Sequence, residues 1–313
     1  MSGLLKLAKN YFRYLRYSPH VLSVLRNAYA NWPHIIISIM IKGTAVGRAK
    51  DGSSWYGSLY DLFHYAKLTV YTHCKVLAAT KDYVKLRCKD GHVDAQLTIY
   101  GWRNTDLFSA MTDYMVILGP KIKGKAVLDV GAFVGDSAML FALMGARRVV
   151  AVEPSPWAYS VARKNVEANG LDNVVTLVNC AVAREGGRTL MLPLGETTAE
   201  FRATGDPRGD VPVPTCTLDE LIEKYGPFDV MKMDCEGCEH ESIPYSRRIG
   251  EVREVLVEYH DEYRDLEERL REEGFDIKFS RSLVSPKLYR SAVSPELGYI
   301  YAAKVPGREV ELR

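Results

Sequence analysis

The chain has 313 residues, 47% of them hydrophobic and 26% charged, with a formal net charge of +2. That balance suits a globular chain with one large domain and a smaller appendage, and it excludes a disordered or fibrous one. The charge is unevenly spread: Lys6, Lys9, Arg13, Arg16, Arg26, Lys42, Arg48 and Lys50 precede the first acid, Asp51, so a basic segment leads into a mildly acidic body.

No apolar core of secretory-signal length opens the chain, and the apolar run 35–41 is far short of the roughly 20 residues that cross a bilayer. A cytoplasmic protein is expected. In that compartment Cys74, Cys88, Cys180, Cys216, Cys235 and Cys238 are expected as small buried residues and not as a disulfide framework.

Residues 4–17 interleave bases with leucines and aromatics at helical spacing, a basic amphipathic helix, and residues 21–32 form a second helical candidate stopped by Pro33. These segments either contact an anionic partner such as RNA or a membrane surface, or dock on the acidic body; docking is the favoured reading because an amphipathic face ordinarily packs on its own protein. Residues 35–100 read as short β-type runs, with 83–88 and 92–99 flanking the Asp90-Gly91 hairpin signal. A helical pattern over 107–118 follows, stopped by Gly119 and Pro120.

Beyond residue 126 strands and helices alternate. The runs 126–129, 148–153, 174–179, 228–234, 255–259, 275–279 and 299–304 read as strands, with helices between many of them; residues 188–193 and 211–216 form an irregular insertion, and Thr217-Leu-Asp-Glu220 is a capping box. The pattern implies an α/β fold with a mostly parallel sheet covered by helices on both faces. The expected division is an N-terminal helical and hairpin region, 1–100, and a cofactor-binding domain, 101–313.

The cofactor signal is the strand, glycine turn and helix over 125–144. Gly131 and Gly135 bracket Ala132, Phe133 and Val134, and Asp136 with Ser137 opens the helix. A dinucleotide fingerprint needs glycine where Ala132 stands, and Asp129 would repel a pyrophosphate. S-adenosylmethionine, with its sulfonium and ammonium groups, is instead attracted by Asp129, and Glu153 followed by Pro154 ends the next strand where a carboxylate takes the ribose hydroxyls.

The stretch 129–170, followed by Lys-Met-Asp-Cys-Glu-Gly-Cys-Glu-His-Glu over 232–241 and Val-Glu-Tyr-His over 257–260, resembles the FkbM family of methyltransferases. The resemblance covers about 101–304. It implies a Rossmann-like class I methyltransferase fold with a seven-stranded sheet, S-adenosylmethionine as cofactor, and O-methylation of hydroxyls on small molecules, sugars or glycans. Carried over by position, Asp129, Gly131, Ala132, Gly135, Asp136 and Ser137 form the cofactor turn, Glu153 and Pro154 meet the ribose, and Asn179, Cys180 and Ala181 meet the adenine. Lys232, Asp234, Glu236, Gly237 and Glu239 form the block beside the transferred methyl, with Asp234 also touching the cofactor.

An alcohol acceptor must lose a proton, for which Asp234, Glu236 and His260 are the candidate bases; Lys232 is catalytic or merely neutralises nearby acids. No residue is assigned as a metal ligand, although a cation held by Asp234, Glu236 or Glu239 is an alternative to a simple base. Cys235 and Cys238 form a C-x-x-C, read as packing residues since no second ligand pair accompanies them. Two other functions are weighed: an RNA methyltransferase gripping its substrate with Tyr11, Phe12, Tyr14 and Tyr17 in the basic segment, and a catalytically silent cofactor-binding protein.

Overall fold

The computed structural model describes residues 18–71, 74–80, 82–89, 93–102, 114–192, 211–260, 263–280 and 297–304. The expected helix over 4–17, the Asp90-Gly91 turn and most of the expected helix 107–118 lie outside these residues.

Helix α1 (Ser18–Ala28) is followed by α2 (Trp32–Lys42), an antiparallel pair β1 (Ala45–Arg48) and β2 (Ser54–Gly57), and α3 (Leu59–Tyr71). Two of these elements correct the sequence reading, which assigned β-type runs from residue 35 onwards. Pro33 does not stop a helix but starts one, standing in the first turn of α2, where its missing N–H has no partner to lose. The isoleucines after it are then helical, with Ile35 and Ile39 buried. Before α3, Ser58 and Asp61 satisfy each other's backbone amides: the carboxylate accepts from Ser58 N at 3.0 Å, and Ser58 Oγ accepts from Asp61 N at 3.3 Å. That Ser-x-x-Asp spacing was a helix-start signal available in the sequence.

Strands β3 (Cys74–Ala79), β4 (Tyr83–Lys89) and β5 (Asp94–Tyr100) form an antiparallel meander. Helix α4 (Met115–Ile122) then leads to the main sheet through β6 (Ala126–Val130), α5 (Asp136–Leu143), β7 (Arg148–Val152), α6 (Pro156–Ala168) and β8 (Val175–Val178). A side sheet of β9 (Ala181–Val182), β10 (Thr189–Leu192) and β11 (Val211–Cys216) intervenes. The chain returns with α7 (Leu218–Tyr225), β12 (Val230–Met233), α8 (Cys238–Ser242), β13 (Glu254–His260), α9 (Arg264–Glu272), β14 (Phe275–Ser280) and β15 (Leu297–Lys304). Thr217 and Glu220 close the capping box of α7.

The main sheet has seven strands in the order β14-β15-β13-β12-β6-β7-β8. The pairings from β13 through β8 are parallel, and β15 runs antiparallel to both its neighbours. Strand order reverses at β6, so the carboxyl ends of β6 and β12 flank the crevice where doubly wound sheets take their ligands. This is the class I methyltransferase fold.

All six cysteines are paired, as Cys74–Cys88, Cys180–Cys216 and Cys235–Cys238, which corrects the expectation of unpaired packing residues. Cys74 and Cys88 face each other in register across β3 and β4. The pairing also removes the cysteine argument for a reducing compartment. Among the described residues no helix is long and apolar enough to cross a membrane.

The N-terminal elements are joined to the main domain by one continuous core in which Val24, Leu25 and Leu86 belong to the same cluster as Leu118, Phe141 and Val149. Polar contacts reinforce it. Asn165 on α6 donates to Tyr100 O and Val134 O and accepts from Tyr100 N, while Asn169 accepts from Thr98 N and donates to Thr98 O. One turn of helix apart, the two amides act on β5 as a paired strand edge would. Asn165→Ala leaves those buried groups unpaired, each costing about 1–3 kcal/mol. It is expected to lower unfolding stability by about 3 kcal/mol in urea titrations.

Candidate active site

Strand β6 is buried along its whole length, and its one acid, Asp129, is fully buried. Across the sheet it is in register with Lys232 of β12, 2% exposed, whose Nζ lies 3.1 Å from Asp129 Oδ1 and donates to Gly131 O at 2.8 Å. Ser137 Oγ donates to the other carboxylate oxygen at 2.6 Å, and the Tyr114 ring covers the ammonium at 5.1 Å. Burial pushes the Asp129 carboxyl up, against the pull of Lys232. On Lys232 burial acts downward, but Asp129 and Asp234 outweigh it and keep the ammonium charged. Asp129, read from sequence as facing the cofactor, thus has a protein partner, and Lys232 holds the acids together beneath the turn.

The turn is built on glycine for a measurable reason. Gly131 has φ +78°, and a Cβ there would lie 1.7 Å from the carbonyl oxygen of Asp234. The backbone after β12 therefore runs directly against the turn, which a side chain would separate. Gly135, at φ +80°, precedes α5 and packs against Ala162 of α6.

Glu153 follows β7 with its carboxylate folded under the turn: Phe133 N donates to Oε2 and Ser155 N to Oε1, each at 2.8 Å. Burial raises its pKa to about 7 despite those two donors. Asp136, at the start of α5, is likewise raised to about 7 by burial. Asn179 donates to the backbone oxygens of Glu153 and Pro154, fixing that loop, while Cys180 is committed to its disulfide and Ala181 pairs with Thr215.

The second group of side chains stands at the ends of β12 and β13. Ligand atoms of Asp234, Glu236 and His260 all lie within 4.8 Å of one another. Glu236 has φ +56° and precedes Gly237 at φ +109°, a tight turn that the Cys235–Cys238 bridge spans. Glu239, fully buried, accepts from His260 N at 2.9 Å and lies 3.1 Å from His260 Nδ1, while Gly237 N donates to its other oxygen at 2.9 Å. His260 Nε2 is 3.3 Å from Glu236 Oε2. Burial lowers the imidazole's pKa, but Glu239, Glu236 and Asp234 together raise it to about 9.

Two participants have no role assigned from the sequence: Tyr114, which no motif announces, and Glu258, which stands in the 257–260 motif with His260. Tyr114 donates to Asp234 Oδ2 at 2.7 Å and lies 3.4 Å from Glu258 Oε2; its pKa is driven well up by burial and by Asp234. Glu258 is pushed well above the carboxylate range by burial and by Asp234.

Residues 129–277 match the family described as Methyltransferase FkbM domain. That match spans 149 residues, just under half of the chain, and it falls on the glycine turn and the acid block together. A ribosomal protein L11 methyltransferase of Carboxydothermus hydrogenoformans is 40% identical over 55 residues, a match that spans 18% of this chain and 18% of that protein. Among solved structures, Aeropyrum pernix fibrillarin with natively bound S-adenosyl-L-methionine superposes with TM-score 0.42 at 15% identity, covering 83% of this chain and 94% of that one. M. capricolum TrmK with S-adenosyl-homocysteine gives 0.40 at 8% identity, over 65% and 73% of the two chains.

The donor set around the turn fits a cationic cofactor such as S-adenosylmethionine, the one expected from the sequence. The groups around the turn are acids, Asp136, Glu153 and Asp234, and among the described residues the one buried ammonium, Lys232, is paired with Asp129, so the site favours a cationic ligand and disfavours a pyrophosphate.

Two outcomes are expected. Asp129→Ala strands a buried ammonium and should cost about 3–5 kcal/mol; combined with Lys232→Met, the loss should fall clearly short of the sum of the single losses in a urea double-mutant cycle. For Glu153, the folded pKa of about 7 exceeds the ordinary 4.5, so its contribution is full below about pH 4.5 and is lost as pH rises through 7. At 1.36 kcal/mol per unit that amounts to about 3 kcal/mol. Calorimetric melting of the cofactor-free protein should therefore fall between pH 5 and 8, and Glu153→Gln should flatten the decline.

Proposed function

We propose that this protein transfers the methyl group of S-adenosylmethionine to a hydroxyl of a small molecule, sugar or glycan. The supporting observation is the convergence of Asp234, Glu236 and His260 on one spot, with the backbone of Asp234 abutting the glycine turn at Gly131. The bound cofactor supplies a methyl group already activated by its sulfonium. What remains for the chain is alignment, exclusion of water and removal of one proton.

Each residue has a part in this reading. Gly131, Ala132 and Gly135 shape the turn, Glu153 with Pro154 receives the ribose, and the segment Asn179, Cys180 and Ala181 borders the adenine. Asp136, with Ser137 bonded to Asp129, keeps the turn's surroundings acidic and attracts the cofactor's cationic end. Asp234, Glu236 and His260 orient the acceptor oxygen and provide for its proton. Lys232 is a positioning residue, because its contacts are to Asp129 and Gly131 O. The basic segment over 1–50 serves substrate access or assembly.

Methyl-labelled cofactor incubated with fractionated lysate tests the acceptor class. Label is expected in a hydroxyl-bearing small-molecule or glycan fraction as an alkali-stable methyl ether, and Asp234→Asn is expected to reduce it by roughly 10²- to 10⁴-fold. Label in RNA instead would replace the acceptor with RNA. Tight cofactor binding with no labelled fraction would leave a silent binding protein.

A further inference from the structure

Asp234 and Glu236 from the segment after β12, and His260 from the end of β13, bring one imidazole nitrogen and two carboxylate oxygens within 4.8 Å of one another. A mixed nitrogen and oxygen set of this kind suits a divalent first-row cation, for which Mn²⁺ is the probe that takes both ligand types, whereas carboxylates alone would serve Mg²⁺ and thiolates are absent from the set.

A second observation lies behind the imidazole ring. Glu239, with no exposed surface, accepts the backbone N–H of His260 and stands 3.1 Å from its Nδ1, and its other oxygen is held by Gly237 N. A carboxylate on Nδ1 leaves Nε2 as the nitrogen that faces Glu236 Oε2, 3.3 Å away, and a cation bound between the two would take the place of the proton that Nε2 otherwise presents to that carboxylate. Metal-ligating histidines are oriented this way, by a carboxylate or carbonyl on the nitrogen that does not touch the metal. Asp234 is steered in the same manner, its Oδ2 receiving the Tyr114 hydroxyl at 2.7 Å.

We propose that Asp234, Glu236 and His260 bind a divalent cation beside the glycine turn and that this cation carries the acceptor oxygen. The second half rests on the hydroxyl-methylation reading; the first does not. In this role His260 is a ligand and not the base, and Glu239 is a positioning residue. The cation lowers the pKa of the bound hydroxyl, whose proton leaves to solvent water. The oxygen then forms its bond to the methyl carbon as the carbon–sulfur bond breaks, giving a methyl ether, S-adenosylhomocysteine and one proton.

The test uses the full chain without cofactor or acceptor, titrated with Mn²⁺ and followed by calorimetry and electron spin resonance. One saturable equivalent is expected, and spin-echo modulation should show a directly coordinated ¹⁴N. His260→Ala, Asp234→Asn and Glu236→Gln should each weaken binding at least tenfold, and Glu239→Gln by about 10- to 100-fold through loss of ring orientation. Melting temperatures identify any variant that does not fold, and the ¹⁴N signal of the parent protein needs no variant. Absence of saturable binding, absence of coordinated nitrogen, or unchanged affinity in a folded His260→Ala variant overturns the site. Methyl transfer that survives complete chelation overturns the cation's role on the acceptor. Failure to find any hydroxyl acceptor, with Mn²⁺ still bound through His260, would refute the hydroxyl reading and leave the cation site standing.

Discussion

The buried ion pair between Asp129 and Lys232 is the contact on which the site's geometry depends. The two residues face each other in register on the adjacent central strands β6 and β12, a hundred residues apart in sequence, and neither is accessible to water. Each charge offsets part of the desolvation cost the other would carry alone. A buried pair of this kind is weak evidence for net stability, since an apolar pair of similar volume can do as well. Its consequence here is placement. Ser137 and Gly131 complete the partners of the pair, so the start of α5, the glycine turn and β12 are held as one unit, and Asp234 follows Lys232 directly against that turn.

Much of this domain was legible in the sequence because its local signals agree with its tertiary structure. The short apolar runs of β6 and β7 are buried strands, Thr217 and Glu220 form their capping box, and Gly170 takes the positive φ that ends α6. The misreadings fell where local preference was weak. The isoleucine run after Pro33 has strand-like composition, but burial of Ile35 and Ile39 on one helical face decides it. The cysteine pairs depend on cross-strand register and on where β11 lies relative to β9, neither of which cysteine spacing reports.

The site shows the same division. Glycine turn and acid block could be read because their residue types are demanded by backbone approach and charge, and the two motifs do meet. Their partners could not be assigned: the sequence does not show that Lys232 stands opposite Asp129, and Tyr114 sits in an ordinary helical run that carries no sign of the two carboxylates its hydroxyl reaches. Glu239 was visible as part of the block, but its use as the support behind His260 depends on the parallel register of β12 and β13. The N-terminal region, divided from the domain on texture, shares its core and receives the amides of Asn165 and Asn169, so its removal exposes apolar surface on the face of the sheet opposite α9.

Charge balance connects these pieces. With Lys232 committed to Asp129, the remaining acids of the crevice, Asp136, Glu153, Asp234, Glu236 and Glu258, are faced by His260 as the nearby titratable base, and it is already engaged by Glu236 and Glu239. Burial answers part of that excess by pushing Asp136, Glu153 and Glu258 toward their neutral forms. A ligand bearing positive charge answers the rest, because bringing it in converts carboxyl groups held neutral at a desolvation cost into ionised partners. A pyrophosphate entering the same crevice would have the opposite effect, adding negative charge where the protein already suppresses its own. The acid excess therefore favours a cationic ligand at the turn and leaves, beside that turn, carboxylates and an oriented imidazole suited to a second cation.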